Sequence, residues 1–327
     1  MLKLKYLFYN EDLAKMLIAN WSFQTKSLDL FKYYRISSNA IYPFEAEGSV
    51  HFLRFAPISE KSETHLLAEF EFISYLLSKE YGALQVVPSS QNETLIKIKT
   101  PWGEYYASVF KRVAGIQLNK TNLNDDVIFS YGKALGRLHQ LSSEYSSPQY
   151  KRWSHEDVLN WMSDTLSDFP NEVLAKKEAH LLQDYFNTLP ISKKTYGLIH
   201  YDFEYDNVFY DEVTKSCQVI DFDDMMYHWY GMDIEKALSS LEDCIPLESI
   251  EQKSQCFMRG YSTEFEISDQ MLSARPAFQR FANLYSYVRI LRSLEEKWKH
   301  EPQWLEHLRT DLLEEMNDLS TNFGIEI

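Results

Sequence analysis

The sequence has few cysteines and no long apolar run. Its three cysteines, Cys217, Cys244 and Cys256, are scattered, and none belongs to a Cys-x-x-Cys pair. This odd number and spacing argue against a disulfide framework or a zinc site and favour a reducing cytosol. No segment reaches the roughly 18 apolar residues that a membrane-spanning helix needs, and the first residues lack the apolar core of a signal peptide. We therefore expect a soluble, cytoplasmic protein.

Basic residues are also scarce. Lysine and arginine number 33 against 48 acidic residues, which gives a formal net charge of −15. This balance argues against nucleic acid or an anionic membrane surface as the main partner. Much of the acidic excess lies in residues 202–243, where the only basic residues are Lys215 and Lys236. A charge run is usually a solvated face, but this one alternates with apolar residues, so we expect it to fold and to concentrate its field.

Aromatic residues are abundant, with 22 tyrosines and 20 phenylalanines among 327 residues. This bulk suits a large core and argues against long disordered stretches, and the length indicates about two domains. The first third alternates strand-like segments with one main helix, residues 63–79, whereas most of the chain after Asp125 has helical periodicity. We predict an α+β fold with a β-rich N-terminal lobe (1–114) and a mainly helical C-terminal lobe (115–327), divided near Gly115.

One β segment interrupts the helical part of the sequence. Residues 207–210 and 217–221 are strand-like, and the polar residues 211–216 between them predict a turn. Because the strands of a hairpin run antiparallel, Asn207 and Asp221 should return to the same edge. Asp202 lies in the preceding loop and can face both.

These three residue types suit phosphoryl transfer, in which charge neutralisation and alignment dominate. Magnesium prefers hard oxygen ligands, which Asp221 and Asn207 can supply. A separate carboxylate, Asp202, can orient an acceptor hydroxyl and take its proton. Each residue alone is ordinary loop chemistry, but the three together, here called the trio, resemble the H-x-D-x-x-x-x-N and D-F-G elements of protein kinases.

Five segments resemble, in the same order, motifs of the aminoglycoside phosphotransferase and choline kinase group. They are the loop 200–207 (HYDFEYDN), the strand end 220–224 (IDFDD), and the helical segments 131–139 (YGKALGRLH), 232–238 (MDIEKAL) and 257–261 (FMRGY). This group is the small-molecule branch of the kinase-like fold. The resemblance implies a two-lobed kinase-like structure that uses ATP and Mg²⁺ to phosphorylate a hydroxyl of a small molecule.

The resemblance also implies a nucleotide site in the first lobe. Arg54 matches the cation of the third strand, with Glu69 as its carboxylate partner and Glu71 as the alternative, although an exposed strand residue would also explain Arg54. Where the family has a glycine-rich turn, this chain has three small or polar residues, Ser37, Ser38 and Asn39. Such residues admit phosphate less freely than glycine does.

Other residues near the trio have two interpretations each. His200 is either a structural loop histidine or a supporting site residue. Asp223 is a second metal contact or a solvated or hydrogen-bonded carboxylate. Asp233 caps the following helix or, as the resemblance implies, braces the catalytic loop. The aromatic residues after the metal motif line an acceptor pocket or belong to the core: Tyr227, Trp229 and Tyr230.

The acidic segment and its aromatic neighbours favour a cationic or amino-bearing acceptor. An aminoglycoside, choline or ethanolamine, a homoserine-like amino alcohol and a sugar all remain open. The alternative is a nucleotide-binding protein without catalysis, because Tyr201 stands where the family has glycine and the nucleotide loop is poor in glycine. The presence of all three residues of the trio, Asp202, Asn207 and Asp221, argues against that alternative.

Overall fold

The computed structural model describes all 327 residues. Its helices are α1 (Glu11–Ile18), α2 (Glu63–Ser78), α3 (Asp125–Glu144), α4 (His155–Ser167), α5 (Val173–Phe186), α6 (Gly231–Glu242), α7 (Leu247–Tyr261), α8 (Asp269–Ser273), α9 (Arg275–Leu294) and α10 (Gln303–Leu319). Its strands are β1 (Arg35–Ile36), β2 (Ala40–Ala46), β3 (Ser49–Pro57), β4 (Gln85–Val87), β5 (Ile96–Thr100), β6 (Gly103–Lys111), β7 (Ile116–Gln117), β8 (Tyr196–Ile199), β9 (Val208–Asp211), β10 (Ser216–Val219) and β11 (Met226–Trp229).

The chain divides into two compact units. Unit 1 comprises Met1–Phe70, Gln85–Arg112 and Ser286–Thr321, and unit 2 comprises Glu71–Leu84, Val113–Tyr285 and Asn322–Ile327. The chain leaves unit 1 at Arg112, close to the expected division at Gly115. Residues 286–321, however, group with unit 1, because ion pairs such as Arg292–Glu60 connect them to it. The functional division into 1–114 and 115–327 stays a prediction.

Unit 1 is built on a six-stranded antiparallel sheet. The strand order is β1-β2-β3-β6-β4, and β5 pairs with the other part of β6. The helix α1 packs its apolar residues into the core of this unit. Its N-cap Asn10 accepts a hydrogen bond from the amide of Leu13. The core of this unit is apolar and aromatic, and it includes Leu17, Trp21, Phe31, Tyr42, Phe44, Leu53 and Val109.

Unit 2 is mainly helical, and the pair α3–α7 makes its most extensive helix contact. Glycines lie where the two backbones meet. A Cβ atom on Gly132 would overlap the carbonyl of Phe257, and one on Gly260 would overlap the carbonyl of Phe129. These glycines belong to two of the three helical segments that resemble the phosphotransferase motifs, 131–139 and 257–261. Their role there is close packing.

Short strands interrupt the helices of unit 2. β9 and β10 form the expected hairpin, with Val208 opposite Val219, and β7 pairs with the other edge of β9. β8 pairs with β11 in a separate two-stranded sheet. The hairpin prediction is confirmed. Across the whole chain, no helix combines the length and the apolar character needed to cross a membrane.

Gly132→Ala tests the α3–α7 contact. Helix propensity alone would stabilise the variant by about 1 kcal/mol. Because the new methyl group meets a backbone carbonyl, we expect overpacking to outweigh that gain and to lower the free energy of unfolding by about 1–2 kcal/mol. Urea denaturation followed by circular dichroism measures the change. Lys133→Ala, on the exposed side of the same helix, is the control and should stay close to the wild type. A more stable Gly132→Ala protein would contradict tight packing here.

Candidate active site

The loop of residues 200–207, here called the catalytic loop, connects β8 to β9. It is closed by its own hydrogen bonds: the amide of Glu204 donates to the carbonyl of Asp202 (2.8 Å), and the amide of Asn207 donates to the carbonyl of Glu204 (3.0 Å). The Asn207 side chain returns to Asp202, where Nδ2 donates to the carbonyl (3.0 Å) and to carboxylate Oδ2 (3.1 Å). The expected base and one expected metal ligand therefore hold each other in place.

The hairpin brings Asp221 to the same end as Asn207. The amide of Ile220 donates to the carbonyl of Asn207 (2.9 Å), and this is the last backbone hydrogen bond at this end of the hairpin. Asp221 is the next residue along the chain. Asp221 adopts a left-handed conformation with φ 65°, and its side chain is exposed. The antiparallel register thus places both residues at one edge, as their spacing predicts.

These residues fit a divalent cation. The amide nitrogen of Asn207 is used by Asp202, so its oxygen points away from that contact and is available as a hard ligand. Asp221 presents an exposed carboxylate, and both donors are of the type that magnesium prefers. Asp223 is buried, which excludes a solvated carboxylate, and a metal contact there stays a prediction.

Asp233 braces the catalytic loop. Its carboxylate is fully buried and accepts hydrogen bonds from the amides of His200 (2.9 Å) and Tyr201 (2.6 Å) and from Nε2 of His139 (3.1 Å). The N-cap position of α6 is Tyr230. The helix-capping interpretation of Asp233 is therefore wrong, because the carboxylate is directed to the loop instead of to its own helix.

Tyr201 takes the conformation that glycine would allow. Its φ is 69°, a left-handed value that costs a non-glycine residue about 1 kcal/mol. Two features offset this cost. Its amide donates to Asp233, and its ring is buried edge-on against Phe281 and Tyr285. The loop thus keeps its shape without glycine.

His200 has a structural role. Nε2 lies 2.9 Å from the carbonyl of Ile220, and since a carbonyl only accepts, this nitrogen carries the proton. Burial lowers the pKa of the imidazole, which keeps it neutral, and its ring packs against Phe222. His200 therefore ties the catalytic loop to the strand end that precedes Asp221.

Negative charge is concentrated around Asp202. Desolvation raises the pKa of its carboxyl group to about 8, and repulsion from Glu204, Asp224 and Asp221 adds to the rise, while Lys236 opposes it. A cation held by Asp221 would also favour the ionised form of Asp202. The site therefore depends on positive charge to keep its base ionised.

Lys236 is a site residue that motif matching missed. Its ammonium group lies 2.5 Å from Glu204 and 3.9 Å from Asp202 Oδ1, and above the ring of Tyr201 at 5.6 Å. The available signal was its position on α6, because a residue three places after Asp233 shares its helix face.

Two of the three aromatic residues expected at an acceptor pocket belong to the core. Trp229 and Tyr230 are fully buried. Trp229 packs against His155 (4.4 Å between ring centroids) and donates through Nε1 to the carbonyl of Pro190. The pocket prediction is wrong for these two, because β11 pairs with β8 in the interior of unit 2. Tyr227 is half-buried, and its role in acceptor binding stays a prediction.

The expected nucleotide-site residues all lie in unit 1. Arg54 and Glu69 form a buried two-pronged ion pair, with N–O distances of 2.8 and 2.7 Å, and the guanidinium lies over the ring of Phe110. Arg54 is therefore not an exposed strand residue, and Glu69 is its partner. Glu71 instead accepts from the amide of Tyr150. Ser37, Ser38 and Asn39 form the turn between β1 and β2.

The chain is similar to known phosphotransferases in sequence and in fold. Residues 37–258 match the phosphotransferase enzyme family. Amicoumacin kinase of Bacillus subtilis (strain 168) is 22% identical over 322 residues, which cover 94% of each chain. Among solved structures, amicoumacin kinase hAmiN in complex with AMP-PNP, Ca²⁺ and Ami has a TM-score of 0.77 at 22% identity, covering 96% of this chain and 95% of that one.

Two further structures share the fold at lower identity. A microcompartment-associated aminopropanol kinase has a TM-score of 0.71 at 19% identity, covering 95% of each chain. An aminoglycoside phosphotransferase from Streptomyces rimosus has a TM-score of 0.58 at 14% identity, covering 84% of this chain and 98% of that one.

Because the family match spans more than half of its length, the chain belongs to the phosphotransferase enzyme family. Its fold is the α+β kinase-like fold that the sequence predicts. It is an ATP-dependent small-molecule kinase that works with a divalent cation.

Asp233→Asn tests the brace. The substitution leaves one oxygen for three donors and removes the charge, so we expect the free energy of unfolding to fall by about 2–4 kcal/mol. Turnover should fall with it, since the loop loses its support. Urea denaturation and a steady-state assay measure the two effects. Asp184→Asn, an exposed carboxylate on α5, is the control and should behave as the wild type. An unfolding midpoint unchanged in Asp233→Asn would rule out the brace.

Lys236→Met tests the cation beside Asp202. Without it, Glu204 and Asp202 repel each other unscreened, and we expect kcat to fall about tenfold with a smaller change in the KM for ATP. Lys236→Arg should recover most of the loss. Lys215→Met, which removes the other basic residue of the acidic segment, should leave kcat unchanged. Equal kcat values for the two methionine variants would show that Lys236 has no specific role.

Proposed function

We propose that this kinase transfers the γ-phosphoryl group of ATP to a hydroxyl of an amine-bearing small molecule. The observation that carries the proposal is the arrangement of Asp202, Asn207 and Asp221 at one end of the β9–β10 hairpin. The chain thus has a carboxylate for the acceptor and two oxygen donors for a metal, and Asp202 and Asn207 are hydrogen-bonded to each other.

Asp202 is the base in this proposal. Its Oδ2 is held by Asn207, and its side chain is one-third exposed, so an acceptor hydroxyl can approach the carboxylate. Asp202 orients that hydroxyl and takes its proton as the oxygen attacks phosphorus. Asn207 and Asp221 would hold the divalent cation, which would neutralise charge on the phosphates.

The amine preference follows from charge. Asp202 interacts electrostatically with three other carboxylates, Glu204, Asp221 and Asp224, and with one lysine, Lys236. Such a surplus attracts a cationic acceptor and disfavours an anionic one. The names of two structurally similar proteins, an aminopropanol kinase and an aminoglycoside phosphotransferase, denote amine-bearing acceptors and support the same class.

The non-catalytic alternative has little support. Its sequence signals were Tyr201 and the glycine-poor loop, and Tyr201 holds the left-handed conformation that the loop requires. The ion pair Arg54–Glu69 is also intact.

A cytoplasmic location stays a prediction from cysteine usage.

Paired acceptors test the amine preference. Mg²⁺-dependent ADP release should be measured with aminopropanol against propanol, and with an aminoglycoside against its N-acetylated form. We expect the amine-bearing member of a productive pair to have a kcat/KM at least about tenfold higher, since it alone is drawn to the carboxylates. Equal rates within the pairs would exclude the charge argument while leaving the kinase activity standing.

Asp202→Asn tests the base. Loss of the proton acceptor should lower kcat about a hundredfold or more, while ATP affinity stays near the wild-type value. Glu212→Gln, an exposed carboxylate in the turn of the same hairpin, is the matched control and should keep full activity. If no acceptor is phosphorylated and Asp221→Ala leaves ATP·Mg²⁺ affinity unchanged, the assignment of the trio is wrong.

A further inference from the structure

The second half of α9 belongs to unit 1, where ion pairs connect it to the rest of the unit. Arg292 lies 2.8 Å from Glu60, whose side chain is almost fully buried. The residues just after the helix add two more pairs of 2.8 Å, Lys3–Glu295 and Lys5–Glu296. This end of α9 therefore has a defined position in unit 1, although it is far in sequence from the sheet.

That position brings Arg289 to the predicted nucleotide loop. Arg289 lies one turn before Arg292, and its Nη2 donates to Oγ of Ser38 at 2.9 Å. Ser38 is the middle residue of the turn 37–39, which the amide of Ser37 closes by donating to the carbonyl of Asn39 (3.0 Å). The guanidinium thus lies at the tip of the loop.

The loop itself offers little to a phosphate group. Phosphate-binding turns use glycine so that several amides can approach the oxygens, and none of the residues 37–39 is glycine. The amide of Ser37 is also used within the turn. A donor from elsewhere in the chain is needed if the loop is to hold a triphosphate firmly.

Arginine is suited to this task. Its planar guanidinium carries five N–H donors and contacts phosphate oxygens in pairs while also contacting other acceptors. The bond to Ser38 orients it, and the ion pair of Arg292 with Glu60 keeps its helix in place. Position, charge and geometry therefore combine at one side chain.

We propose that Arg289 binds the phosphate chain of the nucleotide at the tip of the β1–β2 loop, supplying from α9 the donors that a glycine-rich loop would supply from its backbone. This inference rests on the proposed function, in which ATP is the phosphoryl donor. It makes α9 part of the nucleotide site and Arg289 a binding residue there.

Binding measurements on the full chain test the proposal without an acceptor. Dissociation constants for ATP·Mg²⁺, and for adenosine as a competitor, should be measured by titration calorimetry. We expect Arg289→Met to weaken ATP binding about 30-fold and to leave adenosine binding unchanged, because adenosine has no phosphate. Arg289→Lys keeps the charge but not the planar guanidinium, so its affinity for ATP should lie between those of the wild type and Arg289→Met.

Two further variants separate phosphate binding from loop support. Arg292→Met breaks the ion pair between α9 and Glu60, so it should lower the melting temperature and weaken ATP binding, but less than Arg289→Met does. Ser38→Ala removes only the hydrogen bond to Arg289 and should weaken ATP binding less than Arg289→Met does. The proposal is overturned if Arg289→Met binds ATP as the wild type does, if it loses ATP and adenosine equally, or if Ser38→Ala reproduces its whole effect.

The outcome is distinguishable from a failure of the proposed function. A wild-type chain that binds no ATP·Mg²⁺ would contradict the proposed function itself. A wild-type chain that binds ATP but phosphorylates no amine-bearing acceptor would contradict only the acceptor class, and the comparison between ATP and adenosine would still decide the role of Arg289.

Discussion

The buried carboxylate of Asp233 is the constraint on which the catalytic loop depends. A charge removed from water is costly unless hydrogen bonds replace its hydration, and here two loop amides and His139 do so. His139 in turn contacts the hydroxyl of Tyr261 through Nδ1. A chain of hydrogen bonds therefore runs from α7 through α3 to α6 and the loop, and the glycine contact between α3 and α7 brings its first members together.

This chain explains why motifs far from the chemistry accompany the catalytic residues. The segments 131–139 and 257–261 contain no base and no metal ligand, yet they supply His139 and Tyr261 and the close approach that aligns them. Burial lowers the pKa of His139 against the opposing effect of Asp233, so a neutral ring can donate to the carboxylate through Nε2 and accept from the tyrosine through Nδ1. Support of this kind fixes the directions of Asp202 and Asn207 without touching them.

The sequence was sufficient wherever the decisive contacts are local. The hairpin places Asn207 and Asp221 at one edge because antiparallel pairing depends only on spacing. The partner of Arg54 followed from a resemblance in which helix position matters. Contacts between distant segments were not predictable. Residues 286–321 join unit 1 through ion pairs, which leave no mark on the hydrophobic periodicity of the sequence. Trp229 resembled a pocket residue because nothing in its sequence neighbourhood indicates burial in a two-stranded sheet. The spacing of Lys236 from Asp233 indicates a shared helix face, but its importance depends on the loop carboxylate of Asp202, which only the fold brings near.

The two places where this chain lacks the family's glycines show how a motif can change without losing its function. At Tyr201 the backbone still adopts a positive φ, and the strain is offset by the hydrogen bond to Asp233 and by burial of the ring. In the loop 37–39 the loss concerns donors for a ligand, which local hydrogen bonds cannot restore, and the side chain that comes to the loop is an arginine from α9. The positive φ that the backbone needs at Tyr201 is thus stabilised by contacts within unit 2. The donors that a phosphate needs at the loop 37–39 have to come from another cation. A missing glycine therefore indicates decay only where the structure offers neither form of compensation, and here it offers a different one at each position.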